Sequence, residues 1–268
     1  LARANLNSFS AGEIQDQVNA FSRAGTVEIQ LTAQDVSAWG RDCGNTLPSL
    51  LQTISTIPPP AMLRVGMMNP ATVMDILDDL IDAFTGDRVF RFLHLPAQSG
   101  SDRILSRMGR EYSVAEYEEI VRAFRKKIPD ITLMTDMIVG SCGETEEEFS
   151  ESLDLIARTR PNKVNVTRYS RRPFTPLAKE KDFPDSVKKD RSRIMNTAVE
   201  ALYSEINAPR IGTTVPFVVT EKIRPGSVMA RTPSYLGIVI NEDHPPGYTG
   251  RALLKKDRKY FFIGERQE

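Results

Sequence analysis

Along the first two-thirds of the chain, short apolar runs rich in β-branched residues alternate with longer segments whose apolar positions recur every three or four residues. The short runs at 26–31, 62–66, 89–95, 131–139 and 163–167 predict strands, and their spacing is that of successive βα units. Helix starts are marked by a hydroxyl followed three residues later by a glutamate, the pair that caps two orphan amides reciprocally: Ser10 with Glu13, Ser113 with Glu116, Thr145 with Glu148. Asn69 before Pro70 does the same work with an N-cap and a proline at the first helical position. The pattern predicts one helix, five strand-helix units, and a long last helix over 185–206.

Beyond Ile206 the period changes to that of strands. Runs at 215–221, 227–231, 236–240, 251–256 and 259–264, separated by the turn signals at 224–226 and 245–247, predict a small β-barrel. The expected division is 1–206 for an incomplete parallel α/β barrel and 207–268 for a small all-β barrel.

The chain's 268 residues, 40% of them hydrophobic, suffice for one α/β core and a small appendage. No apolar run approaches the roughly 20 residues that span a bilayer, and the start lacks a signal-peptide layout, so a soluble, cytoplasmic protein without a membrane partner is expected. The first residue is Leu1 rather than Met, which fits a processed or truncated N-terminus. The two cysteines, Cys43 and Cys142, stand far apart, so neither a disulfide framework nor a cysteine metal site can be built from this chain. His94, inside an apolar run, reads as a satisfied core polar group rather than a ligand.

The net charge of zero is unevenly spread. From Ile206 onward ten Lys and Arg face six Asp and Glu, so the tail carries +4 and the remainder −4. Residues 158–193 hold twelve Lys and Arg against four carboxylates. Such surface is an electrostatic footprint for nucleic acid, although many charge runs are only solvated faces.

In a parallel barrel the residues just past each strand meet on one rim, and that is where ligands bind. The strand ends carry Gln34 and Asp35, then 64–70 (RVGMMNP), then Gln98 and Ser99, then 140–145 (GSCGET) after Asp136, then Arg168. Singly, each has a plain structural explanation as a cap or turn; it is their recurrence at five strand ends that points to a site.

Those same residues resemble a family. The runs 31–35 (LTAQD), 39–42 (WGRD), 64–70, 92–102 (FLHLPAQSGSD), 135–136, 139–140 and 143–145, in this order, resemble the radical SAM methylthiotransferases, most closely the archaeal and eukaryotic branch acting on threonylcarbamoyladenosine in tRNA. The run 163–175 (KVNVTRYSRRPFT) resembles that branch too, and the tail resembles its RNA-binding TRAM domain. The resemblance implies a radical SAM partial barrel using S-adenosyl-L-methionine, two [4Fe-4S] clusters in the full-length parent, and a tRNA anticodon stem-loop as partner, and it leaves the electron donor open. It further implies that the CxxxCxxC motif, the first strand and an N-terminal domain lie upstream of this chain, which alone is then inactive. The uncovered edge of 26–31 should make it aggregation-prone. Ser141 and Cys142 stand where the family usually has Phe-Pro.

By position on the rim, Gln34 is assigned to the methionyl amine, Gln98 and Ser99 to the ribose or carboxylate of the cofactor, Arg110 to its carboxylate, and Asp136 to a ribose hydroxyl or the substrate base. Arg168, Arg171, Arg172, Arg231, Arg251, Lys255 and Lys256 are the expected RNA contacts, with Tyr235, Tyr248 and Tyr260 interleaved to stack on bases. The competing reading is a non-catalytic RNA-binding protein derived from this family. An ordinary TIM-barrel enzyme is weaker, because no nucleophile-base pair or metal site stands out.

Overall fold

The computed structural model of the chain describes residues 5–171 and 176–267. Helix α1 (Ala11–Arg23) precedes strands β1 (Glu28–Leu31), β2 (Met62–Val65), β3 (Phe92–His94), β4 (Thr132–Val139) and β5 (Lys163–Arg168), each followed by helix. The helices are α2 (Leu47–Ile54), α3 (Pro70–Met74), α4 (Leu77–Phe84), α5 (Asp102–Arg107), α6 (Val114–Lys127), α7 (Glu146–Thr159) and α8 (Asp185–Asn207). All three expected capping boxes form, and Asn69 caps α3. A fourth box, Thr46 with Ser49, escaped the sequence pattern because its third residue is a serine.

Every pairing among β1 to β5 is parallel, in sequence order. One apolar core joins the buried strand residues Ile29, Leu63, Leu133, Met137 and Val164 to residues of α2, α4, α6, α7 and α8. The helices thus cover one face of the sheet and leave the other as the lumen of a partial barrel, as right-handed crossovers require. Strand β3 is shorter than the predicted 89–95, and the sheet is split there into two-strand and three-strand parts joined by single bridges. The break has two parts: the Phe92 N–H, on the β2 side, turns back to the Phe90 carbonyl at 2.7 Å, and the Arg91 N–H, on the β4 side, donates to the carbonyl of Pro233, far along the chain. Among the described residues β1 pairs with β2 alone, and its other edge carries no strand.

Strands β6 (Thr214–Arg224), β7 (Ser227–Arg231), β8 (Gly237–Ile240), β9 (Thr249–Asp257) and β10 (Phe261–Gln267) close into a barrel in the order β10-β8-β7-β6-β9. Its core is Phe217, Val219, Val228, Ile238, Ile240, Leu254 and Phe262 with two alanines. Gly264 allows the closure, since a Cβ there would lie 2.5 Å from the Ile238 side chain. A third cluster, Phe90, Phe92 and Tyr235, belongs to both barrels and joins them under the parallel sheet. Among the described residues no helix is long and apolar enough to cross a membrane.

Candidate functional site

Strand β4 sorts its residues by face. Leu133, Thr135, Met137 and Val139 are buried toward the helices, whereas Met134, Asp136 and Ile138 are half-buried and look into the lumen. Register brings Asn165 of β5 beside Asp136, and His94 of β3 beside Met134. The Asp136 carboxylate is bonded from both neighbouring strands, by His94 Nε2 at 2.8 Å and Asn165 Nδ2 at 2.7 Å. Burial works to raise its pKa, but the bonds from His94 and Asn165 outweigh it and hold the carboxyl below the usual range. His94 is therefore a satisfied polar group, as its sequence context implied, and its partner is the expected site residue.

Gln98 sits directly past β3 with φ of 67°, left-handed for a residue with a side chain. Both its backbone groups are taken by β4: its N–H donates to Asp136 O at 2.8 Å, and its carbonyl accepts from Ile138 N at 2.9 Å. This locked turn leaves the Gln98 side-chain amide without a partner among the described residues.

Ser99 differs from its expected role. It is 1% exposed, and its hydroxyl faces Ser152 at 3.5 Å and the Ser101 N–H at 3.2 Å, away from the lumen. The cause is the following residue: a Cβ on Gly100 would lie 2.4 Å from the Glu151 carbonyl, so α7 presses on this turn and draws the serine inward. Arg110 is half-buried, its Nε shielded and unpartnered. It lies near Tyr112, whose hydroxyl donates to the carbonyls of Pro96 and Ala97 behind Gln98.

Gln34 is exposed in the turn after β1. Its neighbour Asp35 is structural: it accepts from Ser37 Oγ at 2.6 Å, Thr72 Oγ1 at 2.9 Å and Asn69 N at 3.2 Å, tying the first strand end to the second. At the fourth strand end Gly140 has φ of 73°, and a Cβ there would meet Lys188 at 2.7 Å. The Gly140 N–H donates to the buried Glu144 carboxylate, which Arg191 also binds at 2.6 Å.

Those contacts correct the reading of residues 158–193 as a basic face. Lys188 and Arg191 are buried in ion pairs with Asp182 and Glu144, while Arg158 and Arg160 pair with Glu118 and Glu205. Arg168 and Arg171 remain exposed, although Arg171 donates to the Glu180 carbonyl; Arg172 lies outside the described residues. In the tail, Arg251, Lys255 and Lys256 point outward from β9, with Lys255 paired to Glu265 at 3.3 Å.

Arg231 and Tyr235 depart from a surface role. Tyr235, 6% exposed, inserts under the sheet, donates its hydroxyl to Glu28 and packs on Phe90 and Phe92 with ring centroids 4.9 and 4.8 Å away. Arg231 lies 4.5 Å over the same ring. An aromatic with one polar tip suits a half-polar junction as well as a base-stacking surface, and here the junction takes it. Tyr248 is half-buried and stacks on His244 at 4.1 Å, whereas Tyr260 is exposed.

A [4Fe-4S] cluster that binds S-adenosylmethionine takes three thiolates. Cys43 is exposed and Cys142 buried, and among the described residues no group of three or more candidate ligands gathers, so the cluster does not fit on them. S-adenosylmethionine is a better match to the donor set: a free amide at Gln98 and the Asp136 carboxylate stand at the strand ends and lumen where such a ligand binds.

A probable threonylcarbamoyladenosine tRNA methylthiotransferase of Pyrococcus horikoshii is 43% identical over 99% of this chain and 62% of its own length. The human threonylcarbamoyladenosine tRNA methylthiotransferase is 37% identical over 98% of this chain and 46% of its own. The chain thus spans about half to three-fifths of these relatives. Among solved structures, Escherichia coli coproporphyrinogen III oxidase, described as a radical SAM enzyme, matches 95% of this chain and 64% of its own with a TM-score of 0.55 at 12% identity. The radical S-adenosylmethionine methyltransferase TsrM of Kitasatospora setae, solved with cobalamin and a [4Fe-4S] cluster, matches 63% of this chain and 33% of its own with a TM-score of 0.52 at 17% identity. At these identities both are likenesses of fold. Residues 2–156, more than half of the chain, match the Radical SAM superfamily, and the chain belongs to it.

Proposed function

We propose that this chain is the cofactor-binding and RNA-binding part of a tRNA methylthiotransferase that converts N6-threonylcarbamoyladenosine beside the anticodon to its 2-methylthio derivative. The observation that carries this reading is the similarity of nearly the whole chain to archaeal and human proteins so named. The non-catalytic alternative finds no support among these relatives, whose names are those of enzymes.

In this reading residues 1–206 are the radical SAM core and 207–268 the TRAM-like RNA-binding barrel, and the protein works in the cytoplasm on its tRNA. With a cluster whose thiolates come from outside these residues, bound S-adenosylmethionine would supply the radical chemistry that an adenine C–H bond needs. The chain's own residues bind and orient. Gln34, exposed at the first strand end, reaches the methionyl amine, and the Gln98 amide and Arg110 guanidinium hold ribose and carboxylate oxygens. Ser99 acts by holding the Gln98 turn in shape. Asp136, kept ionised by His94 and Asn165, accepts a hydrogen bond from a hydroxyl or an exocyclic amine of the base. Arg168, Arg171, Arg251, Lys255 and Lys256 offer outward cations to the phosphates of the anticodon stem-loop, with Arg172 as a further candidate by sequence. The chain's two cysteines cannot supply three thiolates, so turnover is expected only when these come from outside it.

The test is titration of S-adenosylmethionine into the wild-type, Gln98→Ala and Asp136→Asn proteins, with methylthiolated adenosine measured in tRNA from cells complemented with a longer gene. Weaker cofactor binding in both variants and loss of the nucleoside support the reading. Unchanged affinity, or no methylthiolated nucleoside with the wild-type gene, overturns it.

A further inference from the structure

Below the Asp136 chain, the floor of the lumen gathers cations that the cofactor reading does not use. Arg64 of β2, Lys163 of β5 and Arg231 of β7 line one cleft of about 370 Å³ together with Asn165, Tyr235 and Tyr260. Among the described residues Arg64 donates only to the neutral Gln30 and otherwise lies over the rings of Phe92 and Tyr235, at 4.8 and 5.2 Å, and Lys163 makes no ion pair. Glu28 comes within 4.0 Å of Arg231 Nε, and its other oxygen accepts the Tyr235 hydroxyl. Three cations against one carboxylate leave this half-buried place with net positive charge. The Nε atoms of Arg64 and Arg231 are both shielded from water and make no hydrogen bond. Burial and the neighbouring Arg231 and Arg64 push the Lys163 amine below its ordinary pKa, the strain that a bound anion would relieve.

The cleft also has a definite distance from the site above it. Lys163 precedes Asn165 by two residues on the same face of β5, about 7 Å along the strand, and Asn165 donates to Asp136. A base resting against Asp136 would send a substituent of that length down to the cations. An end group also suits walls formed by Phe92, Tyr203 and Tyr235 better than a phosphodiester, which must run through.

We infer that the cleft of Arg64, Lys163 and Arg231 is an oxyanion site that receives the terminal carboxylate of an amino-acid substituent on the substrate base. The identity of the substituent rests on the methylthiotransferase reading; the anion site itself does not. The same chemistry could be satisfied by a backbone phosphate of RNA, so the experiment separates the two.

Binding of the full chain is measured to N6-threonylcarbamoyladenosine and its methyl ester, and to two anticodon stem-loops that differ only in that modification. The wild-type protein should bind the free acid about tenfold more tightly than the ester, as expected for a charge-assisted contact. Lys163→Gln and Arg64→Gln should bring that ratio below about twofold, and should remove the preference for the modified stem-loop while leaving affinity for the unmodified one nearly unchanged. Lys163→Gln carries the test if Arg64→Gln misfolds, and the ester comparison needs no variant. Equal binding of acid and ester by the wild type, or a ratio that survives both substitutions, overturns the inference. Equal weakening of both stem-loops assigns the cleft to phosphate and overturns it too. Failure of either stem-loop to bind, with acid-ester discrimination intact, sinks the tRNA reading and leaves the anion site standing.

Discussion

The rim and the floor of the same parallel sheet are built in opposite ways. At the rim the backbone does the shaping: Gln98 and Gly140 take left-handed φ values, caps begin the helices, and most hydroxyls and carboxylates are spent on neighbouring turns. At the floor side chains do it, with Tyr235 reaching from the small barrel to Glu28, Phe90 and Phe92. A rim made of backbone tolerates change in its outward side chains, whereas a floor made of one inserted ring depends on that ring.

The sharpest way to break this contrast is Tyr235→Ala. It deletes a buried aromatic and removes one of the two donors to Glu28, leaving only Gln30, and a loss of about 3–4 kcal/mol is expected. Because that ring joins the two barrels, denaturant unfolding should also split into two transitions. A single transition with an unmoved midpoint would mean the floor is no more dependent on one residue than the rim.

Acid should probe the rim instead. The Glu148 carboxyl is held at about 2 chiefly by its two bonds from Arg103, with further bonds from Thr145 and Ser101 opposing the effect of burial. A carboxyl depressed in the folded state contributes stability that is complete above its unfolded pKa, near 4.5, and is lost as pH falls toward 2. Since Arg103 is half-exposed and solvent screens the pair, roughly 1–2 kcal/mol should disappear across that window. Arg103→Met should flatten this part of the urea-midpoint profile against pH, and a profile identical to wild type would remove Glu148 as the cause.

Smaller still is the α7 cap. Thr145→Ala should cost about 1 kcal/mol of stability in the same urea assay, and no change would show that the box with Glu148 is redundant with the Arg103 bonds. The smallest effect has the opposite sign: Gln98→Gly relieves a left-handed side-chain residue, so stability should rise by about 0.5 kcal/mol. S-adenosylmethionine binding should meanwhile weaken, and a gain in both would dissociate the Gln98 turn from the cofactor.

What could be read from the sequence follows the same division. The capping boxes were legible because their partners lie within four residues, whereas the turn at 98–101 is held by Asp136, Ile138 and Ser152 from afar. Strand β3 is shorter than its apolar run because the Phe92 N–H turns back to Phe90 while that of Arg91 goes to Pro233, a partner no local pattern announces. Lys188 and Arg191 read as surface charge because a lone lysine or arginine in a helix looks solvated until Asp182 and a glutamate 47 residues away are seen beside it. His94 and Asp136 were each noticed, but their pairing came from the β3–β4 register. Arg64 and Lys163 stand in runs that carry the family resemblance but have no role there of their own, and only the insertion of Tyr235 turns them into one cleft.

The bond from Tyr235 to Glu28 spans 207 residues of chain. Tyr235 follows Phe92 by 143 residues, so on a ribosome adding about 5–20 residues per second the underside of the sheet waits roughly 7–29 s for the ring that fills it. Throughout that interval Phe90 and Phe92 lack their partner, which makes the nascent sheet, rather than the finished protein, the natural client of a chaperone.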